Sequence, residues 1–357
     1  MKDTGDSKNI RTLNLKWPIG RTFGLAVVNL LLIATFLEGV ARLGWISSYM
    51  PKKTIGSGHP QIDMKLELLD ALMEREGRID CIFLGSSMVY RAINPDIFAE
   101  AVKRRTGRDI VCFNFGLAGV GETSSAMLGE MLVRKYRPGT LILGTSPRNL
   151  SERTGIKTAN LQNNPWIRYH NGFFNIDGWL TEHSVAFRRY MGFNGLKELI
   201  APVERRRYYE MTALGYGHSK DVMYEDVVAA SRASMSWLTE GGISRVHLEG
   251  LERNMRLNNV VKVVVFEVPV HPALAAGVDK GQERYSRGLT VIEEAAGRNG
   301  VTFLRSIPRH LLPVEGWSDP YHMNQKGAGI FSKWLGEKTA GLLYDEAAGK
   351  DRGGLER

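Results

Sequence analysis

Short, continuous runs of apolar residues constrain the fold of this chain more than any other feature. The clearest run reads VVKVVVFEV, and the five runs together occupy residues 80–84, 110–115, 140–143, 260–268 and 301–304. Segments with apolar residues at helical spacing separate them, among them residues 94–105, 124–136 and 328–343. Strands that are apolar on both faces and alternate with helices form parallel sheets that helices cover on both sides. The pattern predicts a three-layer α/β fold with a mainly parallel sheet.

An apolar stretch near the N-terminus predicts one transmembrane helix before this fold. Residues 23–37 read FGLAVVNLLLIATFL, and Trp17 and Trp45 flank the stretch as interfacial aromatic residues do. Extended to Ile46, it reaches the roughly 20 residues that a bilayer requires. A cleaved signal peptide is the first alternative, but residues 38–45 contain no convincing cleavage pattern of small residues. A buried core helix is the second alternative.

The charges of the N-terminal tail predict the orientation of this helix. Five Lys and Arg residues precede the apolar stretch, against two Asp residues. Such a bias keeps the N-terminus in the cytoplasm and places everything after the helix outside. We therefore expect a single-pass membrane protein with lipid contacts through residues 22–46 and its C-terminal domain outside the cytoplasm. The predicted division is a basic tail at 1–21, the membrane helix at 22–46, a linker and first helix at 47–78, a catalytic domain at 79–345 and a polar tail at 346–357.

Composition excludes some other classes of protein. The formal charge is +9, from 47 Lys and Arg against 38 Asp and Glu, but the basic residues are scattered. No nucleic-acid-binding motif gathers them, so the sequence predicts no nucleic-acid partner. The two cysteines, Cys81 and Cys112, each lie in an apolar run and are interpreted as small buried hydrophobic residues, with no disulfide framework. Since no His, Cys and carboxylate cluster has ligand spacing, we expect neither a metal nor an organic cofactor.

Three polar motifs follow predicted strands or precede the last helix. Gly85-Ser86-Ser87 ends the first strand, at the edge where parallel sheets bind ligands. Ser87 is a candidate nucleophile there, and the alternative is that Ser86 or Ser87 only caps a turn. The second motif, residues 114–121, reads NFGLAGVG after the next strand. Its glycines allow backbone N–H groups to approach a reacting oxygen, although a plain strand-to-helix turn has the same composition.

The third motif reads DPYHMNQKGA at residues 319–328. A turn of three residues can bring the Asp319 carboxylate to Nδ1 of His322 and leave Nε2 facing a serine. A serine hydroxyl needs such an imidazole to take its proton, and the imidazole needs a carboxylate to fix its tautomer. The alternative is that Asp319 caps the turn and His322 is satisfied locally.

The order GSS, then NxGxxG, then DPxHxN resembles the SGNH (GDSL-type) hydrolase superfamily. The resemblance covers about residues 79–335, apart from the middle insertion. It implies that Ser87 is the nucleophile, that Asp319 and His322 complete a triad, and that the N–H groups of Ser87 and Gly119 donate to the oxyanion.

Two positions depart from the family pattern. Ser86 stands where the first block usually has Asp, and the third block, usually G-x-N-D, reads GTSPRN at residues 144–149. Either Ser146 or Asn149 therefore supplies the third oxyanion donor. A Gly-Ser-Ser block behind one membrane anchor also resembles the branch that contains the D-alanine transfer protein of teichoic acid and the alginate O-acetylation proteins.

Residues 149–243 interrupt the alternation of strands and helices and form a predicted insertion. It is rich in aromatic residues and either shapes a binding site or serves as a structural cap. In the first case Trp166 and Trp179 are candidates for stacking on a sugar. The resemblance to the envelope-modifying branch implies a protein of the bacterial cytoplasmic (inner) membrane. It would be an esterase or O-acyltransferase that acts on acyl esters of envelope glycans, with a multi-pass membrane acyltransferase as a candidate partner. The alternative function is a non-catalytic glycan-binding or assembly component that retains the fold.

Overall fold

The computed structural model describes residues 19–45, 53–151, 161–192, 210–223 and 242–343. The polar tail at 346–357, most of the basic tail at 1–21 and three pieces of the insertion lie outside the described residues. The predicted orientation depends on that basic tail and stays a prediction.

The five predicted apolar runs all form strands of one parallel sheet, which confirms the predicted fold class. The strands are β1 (Cys81–Gly85), β2 (Cys112–Gly116), β3 (Thr140–Thr145), β4 (Lys262–Glu267) and β5 (Thr302–Leu304). Their order across the sheet is β2-β1-β3-β4-β5, and every adjacent pair is parallel. The direction of winding therefore reverses at β1, where the chain first moves to β2 and then crosses back to β3.

Helices precede, separate and follow these strands along the chain. They are α1 (Ile19–Arg42), α2 (Pro60–Glu76), α3 (Ser87–Ala92), α4 (Pro95–Thr106), α5 (Glu122–Tyr136), α6 (Pro165–His170), α7 (Ile176–His183), α8 (Val185–Met191), α9 (Arg245–Met255), α10 (Pro272–Ala276), α11 (Gly281–Arg298) and α12 (Gln325–Leu343). Helices α4 and α12 pack together, and so do α5 and α9. Since parallel crossovers are right-handed, the reversal at β1 puts these two pairs on opposite faces of the sheet. The result is the predicted three-layer arrangement.

Helix α1 stands apart from this core. It is the one described helix that is long and apolar enough to cross a membrane, and the apolar part of it is exposed in the structure. At 1.5 Å per residue its 24 residues span about 36 Å, which exceeds the roughly 30 Å of a hydrocarbon core. This agrees with the predicted anchor in length and composition.

The interpretation of the cysteines needs a correction. Cys81 and Cys112 are buried, as expected, but their sulfur atoms form a disulfide. The two residues are direct partners in the register of β1 and β2, and their Cα atoms lie 4.6 Å apart. This separation is within the range that a disulfide can bridge. Two cysteines in separate apolar runs do not reveal this pairing, because strand register cannot be read from one sequence.

Three glycines lie side by side where β1, β2 and β3 end. Gly85 is the register partner of both Gly116 and Gly144. A Cβ atom on Gly116 would lie 2.4 Å from the backbone nitrogen of Tyr90, and one on Gly144 would lie 2.4 Å from a methyl carbon of Val89. The row of glycines thus provides the space in which α3 lies directly against the strand ends.

The side chain of Asn114 fixes the other end of α3. Its Nδ2 donates to the carbonyl oxygens of Val89 (3.0 Å) and Ile93 (2.7 Å), and its Oδ1 accepts from the N–H of Gly116 (2.9 Å). The Val89 carbonyl also accepts from the N–H of Ile93, the C-cap residue, at 3.2 Å, so the Asn114 amide adds to the bonding that ends the helix. The first residue of the NFGLAGVG motif therefore has a structural role.

Replacing Gly116 by Ala tests the close approach of α3. We expect the free energy of unfolding to fall by about 1–3 kcal/mol or more, because the new methyl group meets backbone atoms that cannot rotate away. Gly297→Ala is the matched control, since nothing lies within 4 Å of a Cβ atom at this exposed helical position. That substitution should leave stability unchanged or raise it by up to about 1 kcal/mol. Equal effects of the two substitutions in denaturant unfolding would contradict the packing argument.

Candidate active site

Ser87 is the first residue of α3, immediately after the turn that follows β1. This turn lies where the winding of the sheet reverses, which is where ligands bind in open α/β sheets. Ser86 is the N-cap residue of the same helix, and its Oγ accepts from the N–H of Met88 at 3.3 Å. The capping alternative is thus true of Ser86 and leaves the Ser87 hydroxyl available. Since Asp and Ser cap helices equally well, the exchange of Asp for Ser86 preserves this turn.

The structure brings Ser87, His322 and Asp319 together in one hydrogen-bonded chain. The Nε2 atom of His322 lies 2.8 Å from the Oγ of Ser87, and its Nδ1 lies 2.6 Å from an Oδ2 of Asp319. The residues at the two ends of this chain are more than 230 positions apart in the sequence. Both distances are within hydrogen-bonding range, which is the geometry that a nucleophile, its base and the orienting carboxylate require.

The second oxygen of Asp319 is bound by the backbone of the same turn. Its Oδ1 accepts from the N–H groups of Tyr321 (2.8 Å) and His322 (2.9 Å). Burial alone would raise the pKa of Asp319, but the hydrogen bond and the charge interaction with His322, together with these N–H groups, lower it. Asp319 therefore stays ionised and holds the imidazole with Nδ1 protonated, so that Nε2 can accept a proton from Ser87.

Asn324 organises the loop that carries this pair. Its Nδ2 donates to the carbonyl oxygen of Glu315 at 2.7 Å, and its Oδ1 accepts from the N–H groups of Lys326 and Gly327. Gly327 packs against the Gly316 carbonyl, where a Cβ atom would lie 2.1 Å from the oxygen. The remaining motif residues at the start of α12 therefore hold His322 in place.

The glycine motif forms an open turn beside Ser87. Gly119 has φ +69°, and no heavy atom lies within 4 Å of the position of a Cβ atom there. Its neighbour Ala118 is held on both sides, since its N–H donates to Gln61 Oε1 (2.7 Å) and its carbonyl lies 2.9 Å from His59 Nε2. The start of α2 thus fixes the turn, and Gly119 faces open space in a conformation that favours glycine.

Of the two candidates in the third block, Asn149 is the one beside the serine motif. The Nδ2 atom of Asn149 lies 3.1 Å from the Oγ of Ser86. The Ser146 hydroxyl is instead fully buried and points to the sulfur of Met88, at 3.4 Å. Asn149 lies in the 3₁₀ turn Pro147–Leu150, of which Ser146 is the N-cap residue. Asn149 is therefore the candidate whose amide contacts the serine motif.

Glu122 is a functional candidate that the sequence reasoning missed. It is the first residue of α5, and its Oε1 accepts from Thr145 Oγ1 (2.8 Å) and from Asn149 Nδ2 (3.4 Å). Burial raises its pKa to about 7, although the hydrogen bonds from Thr145 and Asn149 oppose the shift. Glu122 thus orients the Asn149 amide, whose nitrogen also contacts the Ser86 hydroxyl. In the sequence an acidic residue at a helix start indicates only a favourable charge position.

One described piece of the insertion, residues 210–223, lies against both halves of the site, and we call it the strap. On the α3 side, the Tyr90 hydroxyl donates to the carbonyl of Glu210 and the Arg91 guanidinium donates to the carbonyl of His218. On the histidine side, the Gln325 N–H donates to the carbonyl of Ser219 at 2.8 Å. Part of the insertion therefore contacts both the helix that carries Ser87 and the segment that follows His322.

A buried lysine fixes the middle of the strap. The Nζ atom of Lys65 donates to the carbonyl oxygens of Asn114 (2.5 Å) and Gly215 (2.7 Å) and lies 4.8 Å from the centre of the Tyr90 ring. Burial lowers its pKa well below the usual value. The amine thus joins α2, β2 and the strap at one point.

The aromatic part of the insertion lies elsewhere, and the expectation for Trp166 is not supported. Its side chain is only 2% exposed and its Nε1 donates to Glu182, so neither ring face is free for a sugar. Glu182 in turn lies 3.4 Å from Lys135, thirteen residues along α5 from Glu122. At 1.5 Å per residue this is about 20 Å from the end of α5 that contacts the site. Trp179 is 44% exposed, but it lies one helical turn from Glu182 and is therefore also near this distant end of α5.

No protein-family model and no curated protein sequence matches this chain. Among solved structures it is similar to the lipase/acylhydrolase from Enterococcus faecalis, at 11% identity and a TM-score of 0.35 over 74% of this chain and 96% of that one. It is also similar to a gut microbial diltiazem-metabolizing enzyme (13%, TM-score 0.34, 74% and 47%). A third is an acetyl xylan esterase from the rumen bacterium Butyrivibrio proteoclasticus (9%, TM-score 0.31, 74% and 64%). Structural similarity at these TM-scores carries no argument about function, so the chemistry is argued from the residues of the site.

The buried Glu122 predicts a pH dependence of stability that a neutral variant should lack. Its folded pKa of about 7 exceeds the usual value of 4.5, so as the pH rises from 4.5 to 7 the unfolded chain loses the proton while the folded chain keeps it. The free energy of unfolding of the native protein should therefore fall with rising pH, relative to Glu122→Gln, by about 3 kcal/mol across this window. Denaturant unfolding at several pH values measures the difference. Glu249→Gln, at an exposed position, is the control, and a flat difference for Glu122→Gln would contradict the prediction.

Proposed function

We propose that this chain is a membrane-anchored serine esterase or O-acyltransferase that acts outside the cytoplasm on acyl esters, with acetyl as the expected group, of cell-envelope or exopolysaccharide glycans. The observation that carries the chemical part is the hydrogen-bonded chain Ser87–His322–Asp319. The envelope location and the glycan substrate are supported by the N-terminal anchor and by the resemblance of the motifs to the envelope-modifying SGNH branch.

The first half of the reaction forms an acyl-serine. As the Ser87 Oγ attacks the ester carbonyl, its proton passes to Nε2 of His322, and ionised Asp319 stabilises the resulting imidazolium. The carbonyl oxygen becomes an oxyanion, and in this proposal the N–H groups of Ser87 and Gly119 and the amide of Asn149 stabilise it. His322 then returns its proton to the leaving alcohol as the carbon–oxygen bond breaks.

The second half regenerates the serine. Water or a glycan hydroxyl attacks the acyl-serine while His322 removes its proton, and the same imidazolium then protonates Ser87 Oγ as it leaves. With water the product is a free acid, and with a glycan hydroxyl it is a new ester. The strap lies against both catalytic halves, so it is the described part of the insertion best placed to orient such an acceptor.

The disulfide supports a location outside the cytoplasm. Disulfides persist in oxidising compartments and are rare in the cytosol, where thiols are kept reduced. Cys81 and Cys112 form one within the core of the domain that follows the anchor. This agrees with the orientation that the basic tail predicts.

Substitution of the triad tests the chemistry. The full chain in detergent should hydrolyse a small activated acetyl ester, and Ser87→Ala or His322→Ala should each lower kcat by about 10³-fold or more, because the hydroxyl is then absent or no longer deprotonated. Asp319→Asn should also impair the enzyme, since it favours the wrong imidazole tautomer. Unchanged hydrolysis in Ser87→Ala would refute the assignment. If native, folded protein has no activity on any ester tested, the non-catalytic binding component becomes the better account.

The two candidates of the third block provide a matched pair for the oxyanion assignment. Loss of one oxyanion donor typically costs about 10²–10³-fold in kcat, so Asn149→Ala should lower kcat by this factor with little change in KM. Ser146→Ala removes a hydroxyl that faces Met88 and should leave kcat within a few-fold of native. The opposite ranking in steady-state kinetics would assign the donor to Ser146.

Transfer and hydrolysis are separated by products. Incubation of the enzyme with an acyl donor and an envelope oligosaccharide should add acyl groups to the oligosaccharide, which mass spectrometry detects. Ser87→Ala is the control for non-enzymatic transfer. If the donor is hydrolysed while no oligosaccharide gains an acyl group, the protein is an esterase only.

Reporter fusions test the proposed orientation. Alkaline phosphatase folds only outside the cytoplasm, because it needs its disulfides, so a fusion after Arg357 should be active. A cytoplasmic reporter at the same position should be inactive. The reverse pattern would place the domain in the cytoplasm and contradict the proposed location.

A further inference from the structure

The last turns of α1 are bonded to the insertion. The Glu38 carboxylate accepts hydrogen bonds from the Ser184 hydroxyl (2.8 Å) and from the N–H groups of Val185 (3.0 Å) and Ala186 (3.1 Å). It also pairs with Arg42 at 2.7 Å. A carboxylate from the membrane helix thus satisfies N–H groups at the start of α8, which have no partner inside their own helix.

A second contact holds the same two helices together. The Nε atom of Arg189 donates to the carbonyl oxygen of Ala41 at 3.1 Å, and both residues are buried. Contacts at Glu38 and Ala41 lie one helical turn apart on α1. Two such contacts define the orientation of α8 relative to α1. The domain is therefore docked on the end of α1 through α8 and is not attached to it only by the linker.

This docking sets the height of the neighbouring helices relative to a bilayer. The apolar, exposed part of α1 ends at Leu37, so Glu38 lies where a hydrocarbon core would end. The first turn of α8 is bonded to Glu38 and lies at the same height. Trp179 precedes Ser184 by five residues, which is about 8 Å along a helix. The headgroup region adds about 5–8 Å on each side of the hydrocarbon, so α7 and α8 fall in or beside it.

These helices carry most of the exposed apolar surface of the domain. Nine large apolar side chains are exposed in the described residues beyond α1 and its end, and five of them lie in residues 173–190. Ile176 (67% exposed) and Trp179 (44%) share one face of α7, whereas Gly178 and Thr181 on the other face are buried. The five residues, which we call the interfacial patch, are Phe173, Phe174, Ile176, Trp179 and Tyr190.

We infer that the interfacial patch inserts into the headgroup region of the outer leaflet of the membrane that α1 spans. This inference rests on the proposed anchoring by α1. Two observations favour a lipid occupant: the patch is continuous with the docked end of the span, and it is dominated by aromatic residues, which prefer the membrane interface. A sugar acceptor is disfavoured, because α7 lies beside the far end of α5 from Ser87.

Insertion of the patch would limit where Ser87 can meet its substrate. A domain on a free tether could explore the envelope, whereas a domain held by α1 and by the patch keeps one height and one tilt. The ester donor must then reach Ser87 at one fixed distance from the membrane surface.

Depth-dependent quenching in lipid nanodiscs tests the inference on the full chain. A single cysteine is introduced as Ile176→Cys or Trp179→Cys and labelled with an environment-sensitive fluorophore, since the native cysteines are bonded to each other and buried. Val246→Cys and Val260→Cys are matched controls at exposed apolar positions outside the patch (59% and 65%). Ile33→Cys reports on the span itself. Unchanged circular dichroism confirms that each variant is folded.

The labels at 176 and 179 should be quenched severalfold more strongly than those at 246 and 260 by lipids with a spin label near the headgroup. The label at 33 should be quenched best by a spin label deep in the acyl chain. If only position 33 responds, the anchor stands and the patch inference fails. If position 33 does not respond, the proposed anchor itself fails. Labels at 176 and 179 that are shielded from water, unquenched by lipid and crosslinked between chains would assign the patch to a second copy and overturn the inference.

Discussion

The candidate site depends on the contact between α3 and the ends of three strands. Gly85, Gly116 and Gly144 leave no side chain between the sheet and this six-residue helix, and the Asn114 amide binds its far end. A helix this short has little stability of its own, because nucleation is costly and few hydrogen bonds repay it. Its position is therefore determined by the sheet, and Ser87 receives a fixed place relative to the loop that carries His322.

The sequence was sufficient for the parts of the site that depend on local order. Continuous apolar runs revealed the strands, and the side chains that follow a strand in a parallel sheet must gather at one edge. Ser87 follows such a strand. Asp319 and His322 are grouped with it because the Asp-x-x-His motif supplies the base and carboxylate that its hydroxyl needs, in the order of the SGNH motifs that the sequence resembles. The local turn Asp319-Pro320-Tyr321-His322 needed no long-range information at all.

Features that depend on contacts between distant segments could not be predicted in the same way. The Cys81–Cys112 bond requires the register of β1 on β2, and the partnership of Glu122 with Asn149 requires the position of a 3₁₀ turn. The choice between Ser146 and Asn149 depended on which of the two side chains contacts the serine motif. The prediction for Trp166 failed for a related reason. The sequence alone does not show whether an aromatic residue in a long insertion packs in the core or lines a binding surface.

The strap gives the two catalytic halves a common mechanical support. Tyr90 and Arg91, next to the serine, and Gln325, next to the histidine, bond to backbone carbonyls of the same 14-residue segment. A displacement of that segment would therefore be transmitted to both ends of the Ser87–His322 hydrogen bond at once. The distance between the Ser87 hydroxyl and His322 therefore depends on a segment from the middle of the chain. A molecule that bound the outer side of the strap would change this distance and, with it, the reactivity of the serine.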